Sequence, residues 1–188
     1  MMRSIANLLT LVLLCGVATA DSVYPPSSIY HLNAKLTDQS EQTRSLDVYR
    51  GHPVLITMFY GSCSHTCPLL IETLRAVERA APRADALRVL MISIDPARDT
   101  PAVLEKISRE RRIDLSRWTL VTTDAATVRK IAAVLNIQYK QSPDGEFNHS
   151  SVITLLTPQG EIAVQSAKLG KADESLGAAL REVGKAVR

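Results

Sequence analysis

Between Val54 and Asn136, apolar strand-like runs alternate with amphipathic helical patterns, and that alternation leaves very few architectures open. Val54-Leu55-Ile56-Thr57-Met58-Phe59 reads as a buried strand, Leu87 to Ile94 as a central one and Trp118 to Thr122 as another. Between and after them, Leu70, Leu74 and Val77, then Val103, Leu104 and Ile107, then Val128, Ile131 and Leu135 recur at helical spacing, each set forming one inward face. The punctuation agrees. Pro68 suits a first helical turn and Ala81-Pro82 an end; Thr100 can cap a helix with Pro101 at its first position; Asp124 can cap the next and Asn136 stop it. Strands separated by helices need crossover connections, which implies a parallel sheet covered on both faces.

The flanks complete the plan. Asp21 to Ser28, with Pro25-Pro26, reads as an extended lead-in. Ile29 to Leu36 and Thr43 to Val48 read as two short strands of an N-terminal β-hairpin, turning at Asp38 to Glu41, and Gly51-His52-Pro53 breaks the chain before the core. After the core, the polar loop Gln141 to Glu146 delivers Phe147-Asn148-His149 to a strand at Ser151 to Leu156. Pro158-Gln159-Gly160 then turns the chain into an antiparallel neighbour, Ile162 to Ser166, and a closing helix carries Leu176, Leu180, Val183 and Val187. This order resembles the thioredoxin-like fold: α/β, with a central mixed β-sheet flanked by helices and an N-terminal β-hairpin. With 188 residues, 46% of them hydrophobic, there is enough apolar material for one domain with a real core.

The first twenty residues read differently. Arg3, the apolar run Leu8 to Val17 and Ala18-Thr19-Ala20 before Asp21 form a secretory signal peptide over residues 1–20, leaving 21–188 as the domain. The apolar run falls short of the roughly 20 residues of a membrane-spanning helix, so no span is expected after signal removal. Leu14 stands where a lipid-attachment site would need a small residue, so Cys15 is expected to leave with the signal. The expected location is periplasmic. A net charge of +3 without a basic tract interleaved with aromatics argues against a nucleic-acid partner.

Signal removal leaves two cysteines, Cys63 and Cys67, where the first core strand turns into a helix. Unpaired N–H groups and the positive end of the helix dipole lie at such a junction and are expected to favour thiolate. A bridge closing so short a loop would constrain the unfolded chain little, so a functional pair is the better reading than a structural disulfide. Residues four apart on one helix hold their Cβ atoms about 5–6 Å apart, whereas a disulfide wants about 3.5–4.5 Å. Gly61-Ser62 and Pro68 therefore suggest that Cys63 lies in the loop and Cys67 opens the helix, an arrangement open to either metal bridging or oxidation. Thiolates with an imidazole select copper, whereas zinc usually wants four closed ligands. Of His31, His52, His65 and His149, the last is best placed, carried by a loop to one rim of the sheet. His65, inside the cysteine loop, reads first as a solvated residue and second as a substitute ligand.

Cys63-Ser64-His65-Thr66-Cys67-Pro68, then Ile94-Asp95-Pro96-Ala97-Arg98-Asp99-Thr100-Pro101, then Asn148-His149-Ser150 before a strand, together resemble the Sco/SenC family from about Leu46 to Ala186. The resemblance implies a thioredoxin-like protein that binds copper, as Cu(I) and in some states Cu(II), through Cys63, Cys67 and His149. It also implies assistance in assembling the copper centre of cytochrome c oxidase, with a respiratory oxidase subunit or another periplasmic copper protein as recipient. Two positions depart from the family's common pattern, which has acidic residues where this chain has the neutral loop Ser64-His65-Thr66 and Asn148. The competing class is an enzyme, a thiol–disulfide oxidoreductase using the Cys63/Cys67 dithiol on partner cysteines. Asp95 and Asp99 are read as loop and helix-cap residues without a catalytic role.

Overall fold

The computed structural model describes residues 24–63, 66–81, 86–170 and 173–185. The signal peptide, Cys15, His65, Pro82 and Val187 lie outside them.

The core strands form where the apolar runs predict. Strands β3 (Val54–Phe59), β4 (Arg88–Ser93) and β5 (Trp118–Thr122) pair in parallel in the order β5-β4-β3. Every residue of β3 is buried, as a strand covered on both faces requires. The hairpin β1 (Lys35–Asp38) and β2 (Thr43–Ser45) adds to the sheet antiparallel to β5. Strands β8 (Ile153–Leu156) and β9 (Ile162–Ser166) extend the opposite side, giving the seven-stranded mixed order β2-β1-β5-β4-β3-β8-β9.

The helices cover this sheet. Helix α1 (Thr66–Arg79) buries Leu70, Leu74 and Val77, each worth roughly 1.5–3 kcal/mol when removed from water. Its Glu78, buried near the far end, accepts from the Trp118 indole Nε1 at 3.1 Å and pairs with Arg117 at 3.3 Å, tying α1 to the start of β5. Thr100 caps α2 (Pro101–Glu110) through the Val103 amide at 3.4 Å, with Pro101 in the first turn. Asp124 caps α3 (Ala125–Val134), accepting from the Ala126 and Thr127 amides at 2.9 Å. Asn136 follows α3 with a positive φ of 52°, the left-handed stop expected of it. Helix α4 (Glu174–Lys185) packs on β8 and β9.

Three sequence expectations change. The second strand, expected to run from Thr43 to Val48, stops at Ser45, and Leu46–Tyr49 is a 3₁₀ turn. Ile29–His31 is a 3₁₀ turn, and the first strand begins only at Lys35. Ile29 and Tyr30 are both buried in the turn; Ser28 caps it, and the Ile29 amide donates to the Gly160 carbonyl. The polar loop before His149 is present and turns at Gly145 with φ +85°, but it joins two short strands that the sequence did not suggest, β6 (Tyr139–Gln141) and β7 (Phe147–His149), into an antiparallel ribbon. This ribbon pairs with no strand of the main sheet. Polar, exposed residues on both strands hid its period in the sequence.

Candidate metal centre

Strand β3 ends at Phe59, and the chain turns at once: the Cys63 amide donates to the Tyr60 carbonyl at 3.3 Å. Cys67 then sits in the first turn of α1, so one sulfur lies in the loop and the other opens the helix, as the spacing suggested. Both are free thiols, 7% and 6% exposed. They lie near enough for Cys63 to perturb the Cys67 thiol, and Cys67 Sγ donates to the Tyr60 carbonyl at 3.4 Å.

Burial outweighs the helix dipole here. Loss of water, followed by the proximity of Cys63, pushes the Cys67 thiol up to about 12. The thiolate expected at this junction is therefore absent from Cys67 in the metal-free protein at neutral pH. The proton leaves only when a cation or a reacting partner stabilises the charge that replaces it.

Asp99 anchors this loop from the far side. The Gly61 amide donates to its Oδ2 at 2.9 Å and the Ser93 hydroxyl to the same oxygen at 2.5 Å. Gly61 is required by contact: a Cβ there would lie 2.4 Å from Asp99 Oδ1 and 3.0 Å from Ile107 Cδ1. Burial raises the Asp99 pKa above the usual carboxylate value.

The β6–β7 ribbon brings the imidazole. His149 packs edge-on against the Tyr60 ring at 5.7 Å between centroids, and Phe147 packs against the same ring at 5.5 Å. The Tyr60 hydroxyl lies near the side chains of Cys63 and Glu146, and burial first, then those neighbours, raises its pKa. His149 Nδ1 lies 3.3 Å from the Ser150 carbonyl. A carbonyl can only accept, so this contact assigns the proton to Nδ1 and leaves Nε2 a bare acceptor. That Nε2 is buried and has no hydrogen-bond partner among the described residues. Burial lowers the His149 pKa, favouring the neutral ring whose lone pair a metal can take.

The fold thus gathers Cys63, Cys67 and His149 around Tyr60. Among the described residues, however, no three His, Cys, Asp or Glu side chains are close enough to hold one ion. The two sulfurs are adjacent and the imidazole stands against the ring beside them. By donor type the set fits a soft cation: two thiols and one unpartnered imidazole nitrogen. His31 and His52 are engaged elsewhere, with the Pro25 carbonyl at 3.0 Å and the Ala86 carbonyl at 3.1 Å. An open groove of about 420 Å³ lined by Tyr139, Asn148 and His149 reaches the imidazole from outside. A separate cleft of about 410 Å³, between the N-terminal hairpin and the starts of β4 and β5, contains neither the cysteines nor His149.

Sequence reasoning passed over Tyr60, Asp99 and Arg98. The Asp95 to Pro101 segment read as a loop and cap, and it is both, with Thr100 capping α2; what that reading left out is the reach of Asp99 to Gly61. Only the register of β3 beside β4 puts Phe59 opposite Ser93 and so carries Asp99 to Gly61.

The SCO1/SenC family model matches residues 29–183. The mitochondrial SCO2 homolog of Bos taurus is 28% identical over 133 residues, covering 66% of this chain and 49% of that protein. The chain spans 47% to 64% of the length of the curated relatives it matches. The structure of Bradyrhizobium japonicum ScoI with copper bound aligns with a TM-score of 0.67 at 26% identity, over 80% of this chain and 96% of that one. BsSco, described as having a disulfide switch and as a member of the Sco family of cytochrome c oxidase assembly proteins, shares the fold with a TM-score of 0.66 at 19% identity, over 81% of this chain and 90% of its own.

Proposed function

This chain belongs to the SCO1/SenC family, and from that premise we propose that it is a periplasmic copper metallochaperone acting in the assembly of the copper centre of cytochrome c oxidase. Cys63 and Cys67 hold Cu(I) as thiolates and His149 supplies the nitrogen. The observation that carries this reading is a pair of buried, neighbouring thiols outside any disulfide, sharing Tyr60 with an imidazole whose Nε2 has no partner among the described residues. The copper-bound structure of B. japonicum ScoI supports the choice of metal.

Copper is the cargo. Binding exchanges thiol protons for one cation, so the raised Cys67 pKa sets protons against copper: loading strengthens as pH rises, and release returns the protons to the sulfurs. A modest movement of the β6–β7 ribbon relative to Cys63 brings the imidazole from the Tyr60 ring to the metal. A recipient's ligands then take the copper by stepwise exchange. Residues 1–20 direct export and are removed, leaving the domain in the periplasm.

Titration of the reduced mature protein with Cu(I) tests this. One copper per chain is expected, lost in Cys63→Ser and Cys67→Ser and weakened in His149→Ala. No binding by the reduced wild type sinks the reading; an unchanged His149→Ala removes the histidine from the site.

The adjacency of two free thiols also favours a second reading, a thiol–disulfide oxidoreductase that keeps a partner's copper ligands reduced. One thiolate attacks the partner's disulfide, and the second displaces the mixed disulfide, so two electrons pass to the partner and Cys63–Cys67 closes. Turnover of a disulfide substrate without metal is the measurement that decides it.

A further inference from the structure

Among the described residues the ribbon that carries His149 pairs with no strand of the main sheet, and side-chain contacts seat it against Tyr60. The most specific of these comes from Arg98. Its Nε donates to Asp95 Oδ2, its Nη2 donates to the Gly145 carbonyl at 2.6 Å, and its guanidinium lies over the Phe147 ring at 5.9 Å. Gly145 is the positive-φ residue at the ribbon's turn, and the guanidinium Nη1 lies in ordinary contact, 3.6 Å, from where its Cβ would be. Asp95 is itself held: its carboxylate is buried, its amide contacts Ser93 Oγ at 2.9 Å, and its carbonyl accepts from the Arg98 and Asp99 amides. One planar fork therefore joins a rigid loop behind the cysteines to the tip of the imidazole-bearing ribbon.

We propose that Arg98 is a positioning residue for the copper site: by clamping the Gly145 turn to Asp95, it sets where His149 stands relative to the Cys63–Cys67 pair. This rests on His149 being the nitrogen ligand. The coupling runs through packed rings. Arg98 lies on Phe147, Phe147 on Tyr60, and Tyr60 on His149. Arg98 touches neither sulfur nor the imidazole, so its effect is on where the ligand sits. Its side chain is 42% exposed, so truncation leaves the core intact.

The test compares wild type, Arg98→Ala, Arg98→Lys, His149→Ala, the Arg98→Ala/His149→Ala double variant and a control, Arg109→Ala, on the mature chain. Cu(I) affinity is read by competition with a chelator, and amide hydrogen exchange over residues 139–149 is read without metal. Arg98→Ala is expected to exchange faster throughout the ribbon and to bind copper about 10-fold more weakly, as loss of a ligand-orienting partner does. Arg98→Lys keeps the charge but loses the fork, and is expected to match Arg98→Ala; the double variant is expected to match His149→Ala. A weakened His149→Ala beside an unchanged Arg98→Ala overturns the clamp and leaves the ligand assignment standing. An unchanged His149→Ala overturns the ligand assignment and the clamp's purpose with it. Full rescue by lysine, or added loss in the double variant, overturns positioning in favour of charge or a separate role; an effect in Arg109→Ala overturns the specificity of the claim.

Discussion

The backbone amide of Gly61 donates to Asp99 Oδ2 at 2.9 Å, joining the turn before Cys63 to the loop before α2 across 38 residues of sequence. This bond fixes the level at which the cysteine loop leaves the sheet. The absence of a Cβ at residue 61 is what allows the carboxylate so close.

Gly61→Ala tests the closeness of that approach. Its methyl would fall 2.4 Å from a carboxylate oxygen held by two donors and 3.0 Å from Ile107, so the neighbours must shift. A loss of about 1–3 kcal/mol in denaturant unfolding is expected, the usual cost of overpacking. Wild-type stability in the variant would show that the loop yields freely.

Asp99→Asn and Asp99→Ala separate hydrogen bonding from charge. Both donors reach a single oxygen, Oδ2, which the carbonyl of asparagine can replace. Asparagine is expected to keep stability to within about 1 kcal/mol, while alanine leaves the Gly61 amide short of its acceptor and costs about 1–3 kcal/mol. The pH dependence carries a sign as well. Burial raises the folded pKa, so the unfolded chain ionises first and this group's contribution is lost as pH rises from the unfolded pKa through the folded one. Asp99→Asn is expected to lack that acid-range slope, and equal slopes in both proteins would contradict the assignment.

Cys67 makes the corresponding prediction at alkaline pH. Its thiol, ordinarily near 9, is pushed up to about 12, so the reduced protein keeps the full contribution below about pH 9 and loses it as pH rises toward 12. The difference is on the order of a few kcal/mol. Unfolding of the reduced wild type should therefore steepen with pH in this window relative to Cys67→Ser, with Tyr30 and Tyr60 contributing equally to both proteins.

Tyr60 joins sulfur and imidazole through different parts of one side chain, which two substitutions separate. Tyr60→Phe keeps the ring against Phe147 and His149 and loses only the hydroxyl contacts to Cys63 and Glu146; a change of about 0.5–1.5 kcal/mol is expected, with copper stoichiometry intact. Tyr60→Ala removes the ring both others rest on, with an expected cost of about 3–5 kcal/mol and altered chemical shifts at His149. An unmoved His149 signal in that variant would show that the ribbon holds its place without Tyr60.

Much of this fold could be read along the chain because its causes are local. The apolar runs of β3, β4 and β5, the caps Thr100 and Asp124, and the left-handed stop at Asn136 each depend on a few neighbouring residues, and each stands where the sequence puts it. The local placement of Cys63 in a turn and Cys67 in the first turn of α1 follows the same logic. The Ile29–His31 turn did not, because it answers to Gly160, which contacts it from the far end of the chain.

By itself, then, the order of residues determined a covered parallel core with two thiols at a strand-to-helix junction, since hydrophobic period and capping act over one or two turns of chain. Only the tertiary structure decided that those thiols are buried and the Cys67 thiol held protonated, that Asp99 holds their loop, and that His149 rests on Tyr60 in a ribbon tied down by Arg98. Desolvation and contacts across 38 or 47 positions depend on which surfaces the sheet brings face to face, and no local pattern encodes that.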